Sequence, residues 1–318
     1  MLEIGVQTHN IVSDDNPEEG FRLMKEAGFD CADFSLNMYL KNTDLYQDRL
    51  NGFFDQSIDE LKQYFTPHVE AAKKYGIRIH QMHMPYPNWI PTAEDRVNDY
   101  LLHEMAPKSM ALSEFLGCRY IVVHGLKVKR FYGTEQAEWD ATEKFLHTIL
   151  PMAKEMGKVI CIENLYTTSG GHITEGPCCD ARKAAERIDR INDQYGCEVL
   201  GFCFDTGHAN IAGLDLERFM TILGKRIKVL HIHDNDGERD LHQMPYTFTR
   251  TRENKPSTDW DGFLRALEKA DFQGVLNFET APVLSSFPAE LKPEALHMIA
   301  AIGHYFAARI EKDTHQAV

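Results

Sequence analysis

Nowhere in the 318 residues is there an uncharged apolar run approaching the ~18 that a helix needs to cross a bilayer, so no membrane span is expected. Positive charge is scarce: 34 Lys and Arg stand against 48 Asp and Glu, a formal net charge of −14. Neutralised phosphates dominate affinity for nucleic acid, and this balance argues against such a partner. Cysteine is sparse as well. Seven cysteines without a C-x-x-C spacing give neither a disulfide framework nor a zinc-ribbon or dithiol motif, and most sit in apolar runs, where a free thiol behaves as a small hydrophobe. No stretch rich in Pro, Ser or Gly divides the chain, which predicts one domain over residues 1–318. No G-x-G-x-x-G follows the first apolar run, so dinucleotide binding is not indicated. The opening Met1-Leu2-Glu3-Ile4-Gly5 lacks the basic-then-apolar profile of a secretory signal, and a cytoplasmic location is expected.

What is present is an ordinary globular composition, 43% apolar and 26% charged, in a strict alternation of short apolar runs with longer amphipathic stretches. The runs cover residues 2–7, 31–36, 77–83, 119–124, 159–163, 200–205, 227–233 and 274–279. Between them lie helix signatures. Asn16-Pro17-Glu18-Glu19 supplies an N-cap, a proline at the first helical position and two acids in the first turn, with Gly28 as the stop. Ser57 and Glu60 form a capping-box pattern ahead of a helix that runs to Gly76. Further helices are predicted from Thr92 to near Gly117 and over 134–157, 180–195, 214–223, 259–270 and 293–311. Eight nearly uninterrupted apolar strands, each followed by a helix, predict an α/β fold with a parallel sheet closed into a (β/α)₈ TIM barrel.

Active sites of such barrels lie at the C-terminal strand ends. Here those ends carry metal-ligand types: His83 on the third strand, His124 on the fourth, Glu163 on the fifth, Asp205 on the sixth, His231 on the seventh and Glu279 on the eighth. Carboxylates buried together at a barrel mouth repel one another unless a cation relieves them. Glu163, Asp205, His231 and Glu279 are therefore expected to form one divalent-metal site. His231 and His233, two apart on a strand, face the same side, so spacing alone does not choose between them; His231 is preferred because it closes the strand. His208, three residues beyond Asp205, can reach the same pocket. Asp240 and His242 form an Asp-x-His pair that is either a further ligand pair or an ordinary solvated loop.

Ile-Glu-Asn at 162–164, Asp-Thr-Gly-His at 205–208, His-Ile-His-Asp at 231–234 and Phe-Glu at 278–279 resemble, in this order and spacing, the motifs of the xylose isomerase-like TIM-barrel superfamily. That superfamily holds sugar-phosphate isomerases and epimerases as well as endonuclease IV. The resemblance implies one Mn²⁺ or Zn²⁺ ion, with Co²⁺ and Mg²⁺ as the other candidates, on Glu163, Asp205, His231 and Glu279. In the endonuclease branch it implies up to three Zn²⁺ ions, with His83, His124, His208, Asp240 and His242 as additional ligands. The alternative is thus a zinc-dependent phosphodiesterase acting on abasic DNA. Its phosphate track is poorly supplied, because the mouth loops offer only scattered Lys127, Lys129, Arg130, Arg239, Arg250 and Arg252.

The expected activity is metal-dependent sugar isomerisation or epimerisation. A cation polarises the carbonyl of a sugar, sugar phosphate or keto-sugar and stabilises an enediolate, while Glu163 and Glu279 serve as the catalytic acid/base pair. His208, His83, His124, Arg239 and Trp89 are expected to contact the small-molecule carbohydrate, with Tyr86 and Trp260 as further aromatic walls. A homo-oligomer is compatible with the fold, although no helix face selects one.

Overall fold

Strands buried on both faces need their polar backbone paired on both edges, and a closed parallel sheet provides this without leaving an edge. In the computed structural model, which describes residues 2–128, 134–250 and 254–316, with side chains as far as 311, eight parallel strands do so. They are β1 (Ile4–Gln7), β2 (Cys31–Ser35), β3 (Arg78–His83), β4 (Tyr120–His124), β5 (Val159–Glu163), β6 (Leu200–Asp205), β7 (Ile227–His231) and β8 (Leu276–Phe278). Each pairs with its sequence neighbour, and β8 pairs with β1 through Ile4 opposite Leu276. The ring closes where Ile232, one residue past β7, bridges Phe278, with its amide 2.9 Å from Asn277 O.

Period-two alternation sorts the side chains into two layers. Outward residues such as Ile160, Ile162, Phe202, Phe204 and Leu230 join the large core beneath the helices, where Phe219 meets Phe202 and Phe204 at 5.8 and 5.6 Å. The intervening residues Val122, Val159, Cys161, Cys203 and Val229 form a separate cluster of small side chains inside the barrel. One step further along the same inward rows come His124, Glu163, Asp205 and His231. The other half of the interior is polar: Gln7, Asp33, Gln81 and Asn277 are all buried.

The helix boundaries follow the capping chemistry closely. Asn16 accepts from Glu19 N and Gly28 closes the first helix at φ 102°, while Ser57 and Glu60 form the reciprocal capping box. The helix expected from Thr92 starts instead at Asp95. Asn98 binds both Ile90 N (2.8 Å) and Ile90 O (2.9 Å), which holds residues 90–94 in a turn. That helix then widens into a π turn over Leu101–Met105 ahead of Pro107, a residue that cannot donate to the i−4 ladder. The last helix runs from Lys292 to Gln316, longer than expected. Two antiparallel hairpins lie on the strand-end side of the chain's connections, Tyr166–Ser169 with His172–Glu175 after β5 and Thr249–Arg250 with Lys255–Pro256 after β7.

Candidate functional site

The ends of β5 and β6 are locked together by Asn164, whose side chain donates to Asp205 O and accepts from Asp205 N, both at 2.9 Å. Asp205 is also the N-cap of the short helix Thr206–Ile211, accepting from His208 N at 2.6 Å. One turn later this helix brings the His208 ring back over Glu163, with Nδ1 3.0 Å from Glu163 Oε1 and 3.0 Å from Asn164 O. The loop after β7 is pinned by Asp234, which accepts from Thr258 Oγ1 at 2.7 Å and exchanges backbone hydrogen bonds with Gln243 at 2.7 and 2.9 Å. That loop delivers Asp240 and His242 to the same rim.

All nine residues expected as ligands converge there. Glu163 Oε2 lies 3.5 Å from His83 Nε2, 3.5 Å from His124 Nε2 and 3.4 Å from His231 Nδ1. His231 Nδ1 is also 3.3 Å from Glu279 Oε2 and 4.0 Å from Asp205 Oδ2. A second group adjoins this one: Asp240 Oδ2 is 3.3 Å from His208 Nε2 and 3.2 Å from His242 Nε2. His233 belongs to it too, with Nε2 3.0 Å from Asp205 Oδ1 and 3.9 Å from Asp240 Oδ1, and its ring stacked 3.9 Å from that of His242. Thus both histidines of His-Ile-His reach the site, His233 at 3.0 Å from Asp205 and His231 at 4.0 Å.

These donors suit a cation. Among the described residues, no Lys or Arg lies within 4.0 Å of Glu163, Asp205, Asp240 or Glu279, whereas more exposed acids such as Glu114, Glu143 and Glu217 do meet such partners. Glu163 Oε2, His231 Nδ1, His233 Nδ1 and Asp240 Oδ1 are buried with no hydrogen-bond partner, a costly condition for four polar atoms in one place. Ligand-to-ligand spacings of 3.0–3.5 Å match the edge of about 3.3 Å expected for a tetrahedron with bonds of ~2.0–2.1 Å. The groups His83/His124/Glu163, His83/His231/Glu279, Glu163/Asp205/His208 and His208/His233/Asp240/His242 could each hold a metal ion.

The electrostatics are mutual. Burial opposes the charge on Glu163, but the imidazoles of His231 and His124 outweigh it and hold this carboxyl well below its ordinary range. Burial likewise opposes protonation of His208, yet Asp205 and Asp240 hold it well above an ordinary imidazole. His242 is raised to about 9 because its hydrogen bond to Asp240 overcomes burial, while His124 falls to about 4 because burial prevails over Glu163.

A cavity of about 610 Å³ opens above these groups. Trp89, Tyr86, Tyr166 and Lys127 line it together with His124, Glu163, His208, Asp240, His242 and Glu279. Tyr86 stacks on His124 at 4.2 Å, and Lys127 Nζ lies 5.2 Å from the Tyr166 ring centre. Two expectations are corrected. Arg239 is exposed and does not line the cavity, because its loop turns at Asp236, which accepts from the amides of Glu238 and Arg239 at 2.9 and 2.8 Å. Trp260 is a core residue, 2% exposed and packed against Phe263 and Phe306. Lys129, Arg130 and Arg252 lie outside the described residues.

Several site residues escaped the sequence reading. Tyr166 sits on the hairpin after β5, which the Gly170-Gly171 pair between β-branched residues signals; both glycines have positive φ, at 58° and 82°. Gln7 donates to Glu279 Oε1 at 2.6 Å, and nothing in its strand context singles it out. Asp33 interrupts the apolar Cys-Ala-Asp-Phe-Ser strand, a visible signal, and its Oδ2 lies 3.1 Å from His231 Nε2.

A closed parallel barrel with acidic and imidazole groups at one rim defines a class of TIM-barrel proteins, and comparison with known proteins specifies the family. Residues 21–301 match the family described as xylose isomerase-like TIM barrel, and the chain belongs to it. The uncharacterized protein y4fM of Sinorhizobium fredii is 30% identical over 236 residues, covering 68% of this chain and 70% of that protein. Among solved structures, the fold is similar to a D-tagatose 3-epimerase-like protein (TM-score 0.66, 17% identity, 99% of each chain). It is also similar to the IolI protein with a bound zinc atom (TM-score 0.60, 17% identity, 97% of this chain and 98% of that one).

Proposed function

We propose that this chain is a divalent-metal-dependent sugar isomerase or epimerase that moves a proton at a carbon next to a carbonyl. The observation that carries the reading is the convergence of Glu163, Asp205, His231 and Glu279 at one rim, with no described Lys or Arg to balance them. By donor type the ion is Mn²⁺ or Zn²⁺, with Co²⁺ and Mg²⁺ as the other candidates; when bound it would supply Lewis-acid polarisation of a substrate carbonyl.

The chain's own residues then divide the work. Glu163 from β5 and Glu279 from β8 both line the cavity, one to take the proton and the other to return it. Glu279 has one oxygen held by Gln7, which leaves the other directed at the site. His208, held by Asn164 O and Asp240, presents its ring to substrate oxygens, and His83 and His124 flank Glu163. Tyr86 and Trp89 provide an aromatic wall for a sugar's apolar face. The likeness to a D-tagatose 3-epimerase-like fold supports return of the proton to the opposite face of the same carbon.

The test is direct. Protein purified without chelator should contain at least one divalent ion per chain and should exchange the α-proton of a ketose or keto-sugar with deuterated solvent. Glu163→Gln and Glu279→Gln should each reduce that exchange by about 10²–10⁴-fold, the usual weight of a positioned acid or base. Metal-loaded protein inert across a broad sugar panel would refute the assignment.

The flanking groups His83/His124/Glu163 and His208/Asp240/His242 favour a second reading, a zinc phosphodiesterase with up to three Zn²⁺ ions that incises abasic DNA. The net charge of −14 argues against a DNA substrate. Robust incision of an abasic duplex together with silence toward sugars would decide for it.

A further inference from the structure

The interior of the barrel holds a carboxylate that the proposed reaction leaves without a role. Asp33 is completely buried in the middle of β2, below the rim, and among the described residues it has no Lys or Arg partner. Its Oδ2 is approached by three groups from three other strands: Gln81 Nε2 of β3 at 3.1 Å, Asn277 Nδ2 of β8 at 3.4 Å and His231 Nε2 of β7 at 3.1 Å. Its Oδ1 has no partner. A buried carboxylate met only by neutral amides and an imidazole is a poor way to stabilise a fold, since replacing it by an apolar side chain would remove its desolvation cost. What the arrangement does is constrain His231.

An imidazole next to a carboxylate acceptor keeps its proton on the nitrogen that faces it. With Nε2–H donating to Asp33, the lone pair of His231 stays on Nδ1, the atom that faces Glu163 Oε2 at 3.4 Å and Glu279 Oε2 at 3.3 Å. The Gln81 and Asn277 amides fix Asp33 in turn, so the orientation of the ring is set from β2, β3 and β8.

We infer that Asp33 is a positioning residue, which fixes the tautomer and orientation of His231 so that Nδ1 is its metal-binding atom. The inference rests on the metal reading above, but one of its readouts does not require metal. In ¹⁵N-histidine-labelled, metal-free protein at a pH where the imidazole is neutral, with the His231 signals assigned by their loss in His231→Gln, the proton should be on Nε2. In Asp33→Ala the two tautomers should mix, and the affinity for Zn²⁺ or Mn²⁺, measured by chelator competition at fixed pH, should fall by about 10–100-fold. Asp33→Asn keeps an acceptor oxygen and should retain the wild-type tautomer and recover much of the affinity, whereas Asp33→Leu, which fills the space without an acceptor, should behave like Asp33→Ala; recovery in Asp33→Leu would show a merely space-filling role.

A proton on Nδ1 in the wild-type protein overturns the inference, as does a folded Asp33→Ala whose metal affinity is within twofold of wild type. If Asp33→Ala does not fold, the wild-type tautomer and the Asp33→Asn affinity decide the matter. Should the wild-type protein bind no metal while its His231 carries the proton on Nε2, the metal reading fails, and with it the ligand assignment, leaving Asp33 only the tautomer.

Discussion

Gly207 offers a sharp test of the geometry around His233. A Cβ at this position would lie 1.9 Å from His233 Cε1, 2.3 Å from Nδ1 and 2.6 Å from Nε2. Ordinary heavy-atom contact begins near ~3.5 Å, so in Gly207→Ala the ring must retreat by about 1.5 Å. His242, stacked 3.9 Å away, limits that retreat, and Nε2 leaves the 3.0 Å contact with Asp205. Loss of a hydrogen bond to a buried carboxylate costs about 1.5–3 kcal/mol and overpacking about 1–3 kcal/mol, while alanine in a helix returns up to about 1 kcal/mol. The net destabilisation of metal-free protein is therefore about 1.5–5 kcal/mol, measured by urea unfolding. The diagnostic is a double-mutant cycle: with His233→Ala in place the methyl has room, and Gly207→Ala should then be neutral or stabilising by up to about 1 kcal/mol. Equal penalties in the two backgrounds would show that the His233 ring does not occupy the space beside Gly207.

Two further perturbations probe the scaffold. His80, buried at the base of β3 with Nδ1 2.8 Å from Arg78 Nη1, is held neutral, with its pKa lowered from 6.5 to about 4 by burial and then by the Arg78 charge. Below pH 6.5 the unfolded chain takes up a proton that the folded chain refuses, so stability falls as pH drops toward 4, by about 2 kcal/mol at pH 5 relative to neutral pH. His80→Asn should abolish that share of the pH slope in chelator-treated protein; an unchanged slope would place the ionisation elsewhere. Asp234→Ala removes the acceptor for Thr258 Oγ1 and Phe248 N, and should raise hydrogen exchange across residues 235–250 and lower the number of ions bound per chain. Exchange rates matching wild type would show that Asp234 does not hold this loop.

Much of the barrel was legible because a strand buried on both faces has few polar positions, and its polar end therefore stands out. β5 reads Val-Ile-Cys-Ile-Glu and ends at Glu163, as expected. Strands that begin beside exposed loops were less clear: Leu2 and Gly274 belong to apolar runs, yet the paired segments start at Ile4 and Leu276. The π turn at Leu101–Met105 is set by how one helix accommodates a downstream proline, and apolar periodicity carries no mark of it. The hairpin after β5 had a local signature in Gly170-Gly171, but its strands are half-exposed, so an apolar pattern could not reveal them.

The site separates along the same physical line. Residues at strand ends declare themselves, because a carboxylate or imidazole that closes an apolar run has no packing reason to be there. Residues that act across the barrel do not, since the contacts of Asp33 with His231 and of Gln7 with Glu279 join positions 198 and 272 residues apart. His233 is the instructive intermediate. Its two-residue spacing from His231 put both rings on one face, but their neighbours differ: His231 lies beside Glu163 and Glu279, and His233 beside Asp240 and His242. Glycine at 207 is what admits the second ring, so the Asp-Thr-Gly-His segment encodes a carboxylate at the rim, a helix start and the space for a histidine 26 residues later. Replacing the segment's glycine should therefore disturb the His208/His233/Asp240/His242 group while leaving Glu163, His231 and Glu279 able to bind an ion. Loss of all bound metal in Gly207→Ala would mean that the two groups form one cooperative centre.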